Sequence, residues 1–168
     1  MRVAETLSSD SLAKLGATEA QKAFADVPVV KVSEVSQYDA IIFGSPTRFG
    51  LMAAQMKAFW DATGGHWFQG KLIGKVASFF CTSAMQHAQE NTLLSSMVPA
   101  LHHGMVIVGI PSTCGQLFGI EEMKGGSFYG ATSVVGPKGE RLPSKIELEI
   151  AKFQGKHVAQ IAAKLASK

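Results

Sequence analysis

The sequence predicts an α/β fold with a parallel sheet, and three features carry that prediction. Short apolar runs without polar alternation recur along the chain, the pattern of strands covered on both faces. Each of the first two is followed by a polar loop and then by apolar residues at helical spacing. Strands alternating with helices imply right-handed βαβ crossovers and so a parallel sheet.

Residues 1–37 read as a connecting segment with one short helix. Ser8-Ser9-Asp10-Ser11 caps a weak pattern of Leu12, Leu15, Ala20, Ala23 and Phe24, and Val27-Pro28-Val29-Val30 follows. Ala40–Phe43 is a buried strand that Gly44 ends. Pro46 and Gly50 fix a compact loop before a helix opens at Met52, with Met56, Phe59 and Trp60 at helical spacing. The helix ends at Thr63-Gly64-Gly65, where glycine suits a left-handed C-cap. Lys75–Cys81 is the second strand, Thr82–Ala88 its loop and Gln89–Leu101 its helix. Met105–Val108 forms a third strand, followed by an excursion over Gly109–Gly130 and a resumption at Ala131–Val135. The last helix starts from the capping box Ser144-Lys145-Ile146-Glu147 and buries Ile150, Phe153, Val158, Ile161, Ala162 and Leu165.

With 168 residues, 46% hydrophobic and 17% charged, the chain is sized for a single domain with a two- or three-layer core. Its net charge of +3 is small and its basic residues are scattered, which argues against nucleic acid as a partner. The two cysteines, Cys81 and Cys114, are far apart and form no CxxC, so neither a disulfide framework nor a zinc site is expected. That usage points to a reducing, cytoplasmic compartment. No apolar leader or membrane-length apolar run occurs, so membrane insertion is not expected. In an open α/β sheet, ligands bind outside the carboxyl ends of the strands, which makes the loop after Ala40–Phe43 the first candidate site.

Ser45-Pro46-Thr47-Arg48-Phe49-Gly50, Gln55-Met56-Lys57-Ala58-Phe59, Thr63-Gly64-Gly65-His66-Trp67, His102-His103-Gly104-Met105-Val106-Ile107-Val108, Gly125-Gly126-Ser127-Phe128-Tyr129-Gly130-Ala131-Thr132 and Phe153-Gln154-Gly155-Lys156 together resemble the WrbA-type NAD(P)H:quinone oxidoreductases. The resemblance runs from Arg2 to Lys164. It implies a flavodoxin-like three-layer sandwich with a parallel sheet, FMN as cofactor, NAD(P)H as electron donor and two-electron, ping-pong reduction of quinones. It also implies a homotetramer with active sites at subunit contacts. Family members begin with a strand, a hydroxyl-rich phosphate loop and a helix, a unit of roughly 30 residues. Against that pattern the fold is expected to be N-terminally truncated, with residues 38–168 carrying strands 3 to 5 of a single domain over 1–168. In the flavodoxin order 2-1-3-4-5, FMN lies at the β1/β3 switch point.

By the same resemblance, Thr47, Arg48, Phe49 and Gly50 bind the flavin ring, their backbone amides meeting its pyrimidine edge. Without it, the segment reads as an ordinary turn with Phe49 packed in the core. Thr82, Ser83, Ala84, Met85, Gln86 and His87 correspond to a second loop along the ring and ribityl chain. That loop is usually glycine-rich in the family, and here Met85, His87 and Ala88 carry Cβ atoms that restrict positive φ; a surface loop without function is the other reading. His102 corresponds to a histidine near the flavin, where a neutral imidazole donates or accepts a hydrogen bond; otherwise it is a helix C-terminal dipole partner or a satisfied core group. Trp67 corresponds to an aromatic wall placed over a neighbouring subunit's pocket, against which quinone or nicotinamide rings stack; packing at a subunit contact is its alternative. No side chain is assigned as catalytic, because hydride transfer depends on positioning. His66, His87 and His103 have no paired carboxylate, so no metal site is expected. A second reading of the whole chain is a non-catalytic, truncated paralogue or oligomer partner that binds FMN weakly or not at all.

Overall fold

The computed structural model describes residues 1–166. Two short helices, α1 (Ser9–Lys14) and α2 (Thr18–Ala23), precede a 3₁₀ turn at Val32–Gln37 and strand β1 (Ala40–Pro46). Helices α3 (Ala54–Ala62) and α4 (Gly64–Phe68) lead to β2 (Val76–Ser83), and α5 (Gln89–His102) leads to the two-residue β3 (Val106–Ile107). After the excursion come β4 (Ala131–Val134) and the closing helix α6 (Lys145–Ala166).

All strand pairs are parallel. β1 lies along one edge of β2, from Ala40 opposite Val76 to Pro46 opposite Thr82. The other edge of β2 is shared: Val76 and Ala77 pair with β3, and Phe80–Ser83 pair with β4. β3 and β4 are thus two pieces of one edge strand, parted where the excursion leaves the sheet. β2 sorts its side chains by the two-residue period of a strand. Ala77, Phe79 and Cys81 enter the main core with Phe43, Met56, Trp60, Leu93 and Ala100 of α3, α5 and β1. Val76 faces the other way, onto Val108, Val158 and Ala162. Three layers result, with α6 on one face and α3 and α5 on the other.

Where the edge strand is parted, Ser78 and Phe79 of β2 have no strand partner on that edge, and a buried side chain takes its place. Gln154 of α6 donates from Nε2 to Phe79 O at 2.8 Å and to Ser78 Oγ at 2.6 Å, and its Oε1 accepts from Ala131 N at 2.9 Å. A glutamine amide carries the same donor and acceptor as a peptide group, so it continues the ladder across the gap. Gly130 must pass so close to β2 that a Cβ there would lie 2.0 Å from Phe79 O.

Glu147 secures the return from the excursion. Its carboxylate accepts from Gly125 N (2.8 Å), Val134 N (3.1 Å), Ser133 Oγ (3.0 Å) and Ser144 N (2.7 Å). Arg141 Nη1 reaches both of its oxygens, at 2.9 and 3.1 Å. The predicted capping box is present, since Glu147 N also donates to Ser144 Oγ at 3.3 Å, but this glutamate does more than cap.

Several expectations are corrected. The segment before β1 holds two helices where one was expected, and a parallel bridge joins Arg2 to Val29. β1 is not covered on both faces: Phe43 is its one fully buried side chain and Ile42 is 39% exposed. Among the described residues β1 pairs only with β2, and its free edge borders a cavity of about 1060 Å³ lined in part by Val3, Leu12, Phe24, Ile42 and Phe59. Gly64 and Gly65 do not form a left-handed cap; they start α4, and neither takes positive φ. Leu165, near the end of α6, is 39% exposed and does not join the buried stripe.

Burial pushes the Glu147 carboxyl up, but the donors from Ser144, Gly125, Val134 and Arg141 outweigh it and hold the group below its ordinary value of 4.5. A depressed carboxylate contributes stability above its unfolded pKa and loses it as pH falls toward the folded value. Glu147→Gln is therefore expected to cost about 2–3 kcal/mol at pH 7 and to flatten the loss of stability below pH 4.5. Urea titrations of both proteins from pH 7 to pH 3 read this out, and parallel acid profiles would contradict it.

Candidate functional site

The parallel register ends β1 and β2 at the same level, so the loops that follow them stand side by side. The first runs from Thr47 to Gly50 and the second from Ala84 to Ala88. Thr47 N donates to Thr82 O at 2.8 Å, fixing one loop to the base of the other. Arg48 and Leu51 exchange backbone hydrogen bonds of 2.8 and 3.0 Å across the tip. The start of α5 holds the rest: Thr92 Oγ1 lies 2.5 Å from Thr47 Oγ1, and Asn91 Nδ2 and Ser95 Oγ donate to Gly50 O at 2.9 and 3.4 Å.

The Arg48 and Gly50 carbonyls are thus occupied, while several amides of the two loops are free. The N–H groups of Phe49 and Gly50, and those of Ala84 through Ala88, make no hydrogen bond among the described residues. Two rows of unpaired donors at the carboxyl ends of adjacent parallel strands make a cradle for a ligand rich in acceptors. Backbone strain marks the same place. Among the described residues, the non-glycine positions with positive φ are Phe49 at 53° and Ala88 at 69°, one in each loop. Such conformations cost energy and persist where surrounding structure imposes them, most often at ligand sites. Phe49 is fully exposed, contrary to its reading as a core residue of an ordinary turn.

The second loop has one left-handed position, Ala88, despite its Cβ; Ala84 through His87 keep negative φ. Met85 and His87 are exposed, and Gln86 donates from Nε2 to Lys124 O of the excursion at 3.3 Å. Thr82 and Ser83 belong to the end of β2, so the loop is shorter than expected.

His102 and Trp67 are elsewhere. α5 begins at the second loop and ends at His102, and its 14 residues carry the chain about 20 Å toward the amino ends of the strands. There Trp67 Nε1 donates to His102 O at 3.0 Å, and both side chains are exposed. The neighbouring His103 is buried: its Nε2 lies 2.8 Å from Thr63 Oγ1, whose hydroxyl donates to Trp60 O. Nε2 must then carry the proton, which leaves Nδ1 as a buried acceptor with no partner. Desolvation, with repulsion from His66 and His102, holds the His103 pKa below 6.5 and the ring neutral at pH 7.

Asn91, Thr92 and Ser95 are the site-building residues the sequence reading passed over. Polar residues clustered on the first turns of a helix that follows a candidate ligand loop were the available signal.

The chain matches the NADPH-dependent FMN reductase family over residues 10–113. It is 56% identical over 165 residues to an NAD(P)H dehydrogenase (quinone) of Geobacter sulfurreducens, covering 98% of this chain and 81% of that protein. A protein of the same name from Aromatoleum aromaticum is 53% identical over 165 residues, with 98% and 80% covered. Among solved structures, the flavodoxin, WrbA-like protein from Agrobacterium tumefaciens aligns with a TM-score of 0.59 at 28% identity, over 79% of this chain and 71% of that one.

Replacing Ala88 by glycine removes the left-handed penalty at the head of α5. The expected gain is about 0.5–1 kcal/mol, after allowing for the greater freedom of glycine in the unfolded chain. Chemical denaturation measures it, and a loss of stability would show that the Ala88 methyl group contributes packing that outweighs the strain.

Proposed function

Because the chain belongs to the NADPH-dependent FMN reductase family, we propose that it is an FMN-dependent NAD(P)H:quinone oxidoreductase. The observation that carries this reading is the double row of free amides at the ends of β1 and β2. The pyrimidine edge of a flavin presents carbonyl and ring-nitrogen acceptors, and these loops present donors that nothing else in the chain uses. Thr47, Arg48, Phe49 and Gly50 would hold the ring from one side. Thr82, Ser83, Ala84, Met85, Gln86 and His87 would line it from the other. When bound, FMN would supply the two-electron redox chemistry that links NAD(P)H to a quinone. The protein contributes fixed dipoles that favour negative charge on the ring and a shape that presents one face to donor and acceptor in turn. The non-catalytic reading is not favoured, given the high identity to relatives named as enzymes across nearly the whole chain.

Trp67 and His102 belong in this proposal to the site of a neighbouring copy. Their separation from the loops of their own chain supports this. So does the exposed apolar surface around them, formed by Phe68, Ile73, Leu94, Val98 and Leu101. Patches of this kind mark association surfaces, and a homotetramer accommodates the arrangement. No helix among the described residues is long and apolar enough to cross a membrane.

The purified protein, incubated with FMN and desalted, is expected to retain a flavin visible spectrum and to oxidise NADH or NADPH only when a benzoquinone is present. A colourless protein that cannot be reconstituted would sink the proposal. Light scattering is expected to give a mass several times 17.8 kDa; a monomer would remove the assembly from it.

A further inference from the structure

We propose that Gln89 is a positioning residue that sets the shape of the second loop from the turn at residues 125–130, through a one-way chain of hydrogen bonds. The proposal rests on reading that loop as part of a flavin site. Gly126 N donates to Thr132 Oγ1 at 2.6 Å, and the Thr132 hydroxyl donates to Gln89 Oε1 at 2.7 Å. Gln89 Nε2 donates to Ser83 Oγ at 2.8 Å, and the Ser83 hydroxyl donates to Met85 O. Every donor points the same way, so each bond polarises the next.

The orientation of the amide follows from its surroundings. Gln89 Nε2 also faces Ser133 O, at 3.3 Å. A flipped amide would set its oxygen against that carbonyl, so the nitrogen belongs where it is. Gln89, Thr132 and Ser83 are 6%, 4% and 3% exposed, and water does not replace a lost partner at that depth.

The second loop depends on such ties because its amides are free. Apart from its junction with α5, it is held through Met85 O and the Gln86 side chain, and both connections run toward residues 124–132. Gln89 is the central link of the first. Loosening it would leave the loop's composition unchanged and blur the placement of its donors, on which affinity for a rigid planar ligand depends.

The test compares Gln89→Leu and the shape-conserving Thr132→Val with Gln154→Leu, which strips a buried amide of the same kind from the same sheet; Gln154 bonds to Ser78, Phe79 and Ala131 and to no member of the relay. Thr132→Val carries the test if Gln89→Leu does not fold. In the flavin-free protein, backbone 15N relaxation at residues 84–88 is expected to show increased mobility in the first two variants and none in Gln154→Leu. FMN is expected to bind about tenfold more weakly to the first two and within twofold of wild type to Gln154→Leu, although that variant melts earlier. Unchanged relaxation in Gln89→Leu and Thr132→Val, or an equal change in Gln154→Leu, would overturn the positioning role. Wild-type protein that takes up no FMN would overturn the flavin reading instead, and the relaxation measurements would still decide the role of Gln89.

Discussion

The parallel pairing of β1 with β2 is the constraint from which the site follows. Seven consecutive partners, from Ala40 opposite Val76 to Pro46 opposite Thr82, bring both strands to their carboxyl ends together. The two loops must then leave the sheet as neighbours, and Thr47 N meets Thr82 O across the junction. A parallel pair cannot be closed by a tight hairpin, so each loop is free to turn outward before its helix begins. Asn91 and Ser95 of α5 take up the Gly50 carbonyl, and the amides of Phe49, Gly50 and Ala84 through Ala88 are left unpaired among the described residues. Two non-glycine residues, Phe49 and Ala88, accept left-handed backbone there.

The rest of the sheet is held by buried polar side chains that act as backbone substitutes. An edge strand parted by a long excursion would expose ladder groups of β2, and unsatisfied buried amides and carbonyls are costly. Gln154 fills the gap, Glu147 gathers the amides on the returning side, and Gln89 joins β4 to the end of β2. All three lie on helices, so the packing of α5 and α6 fixes the hydrogen bonding of the strands. Gln89 alone of the three ties the return leg to the site, because it bonds both Thr132 and Ser83, and Ser83 carries the second loop.

The distribution of aromatic residues suggests how such a site is completed. In the proposed assembly, α5 links two half-sites about 20 Å apart: its first turns hold the loops of its own chain, and its last residue stands beside Trp67, which serves a neighbour. In that proposal one helix would set both the local cradle and the contribution to the adjoining one.

Periodicity and composition alone determined the alternation of strands and helices, the core roles of Phe43, Met56, Trp60 and Ile150, and the caps at Ser8 and Ser144. These features depend on residues close in sequence. The resemblance of separate blocks to a known family added the flavin reading, and family membership supports it. What only the tertiary structure decided depends on residues far apart in the chain. Gln154 bonds to Phe79, Glu147 to Gly125, and Gln89 to Thr132, and no local pattern distinguishes these from solvated polar residues. The free edge of β1, the left-handed Ala88 and the distance between Trp67 and the loops arise in the same way. A strand's burial, a loop's strain and a side chain's partners are set by what packs against them, and that is a property of the folded chain.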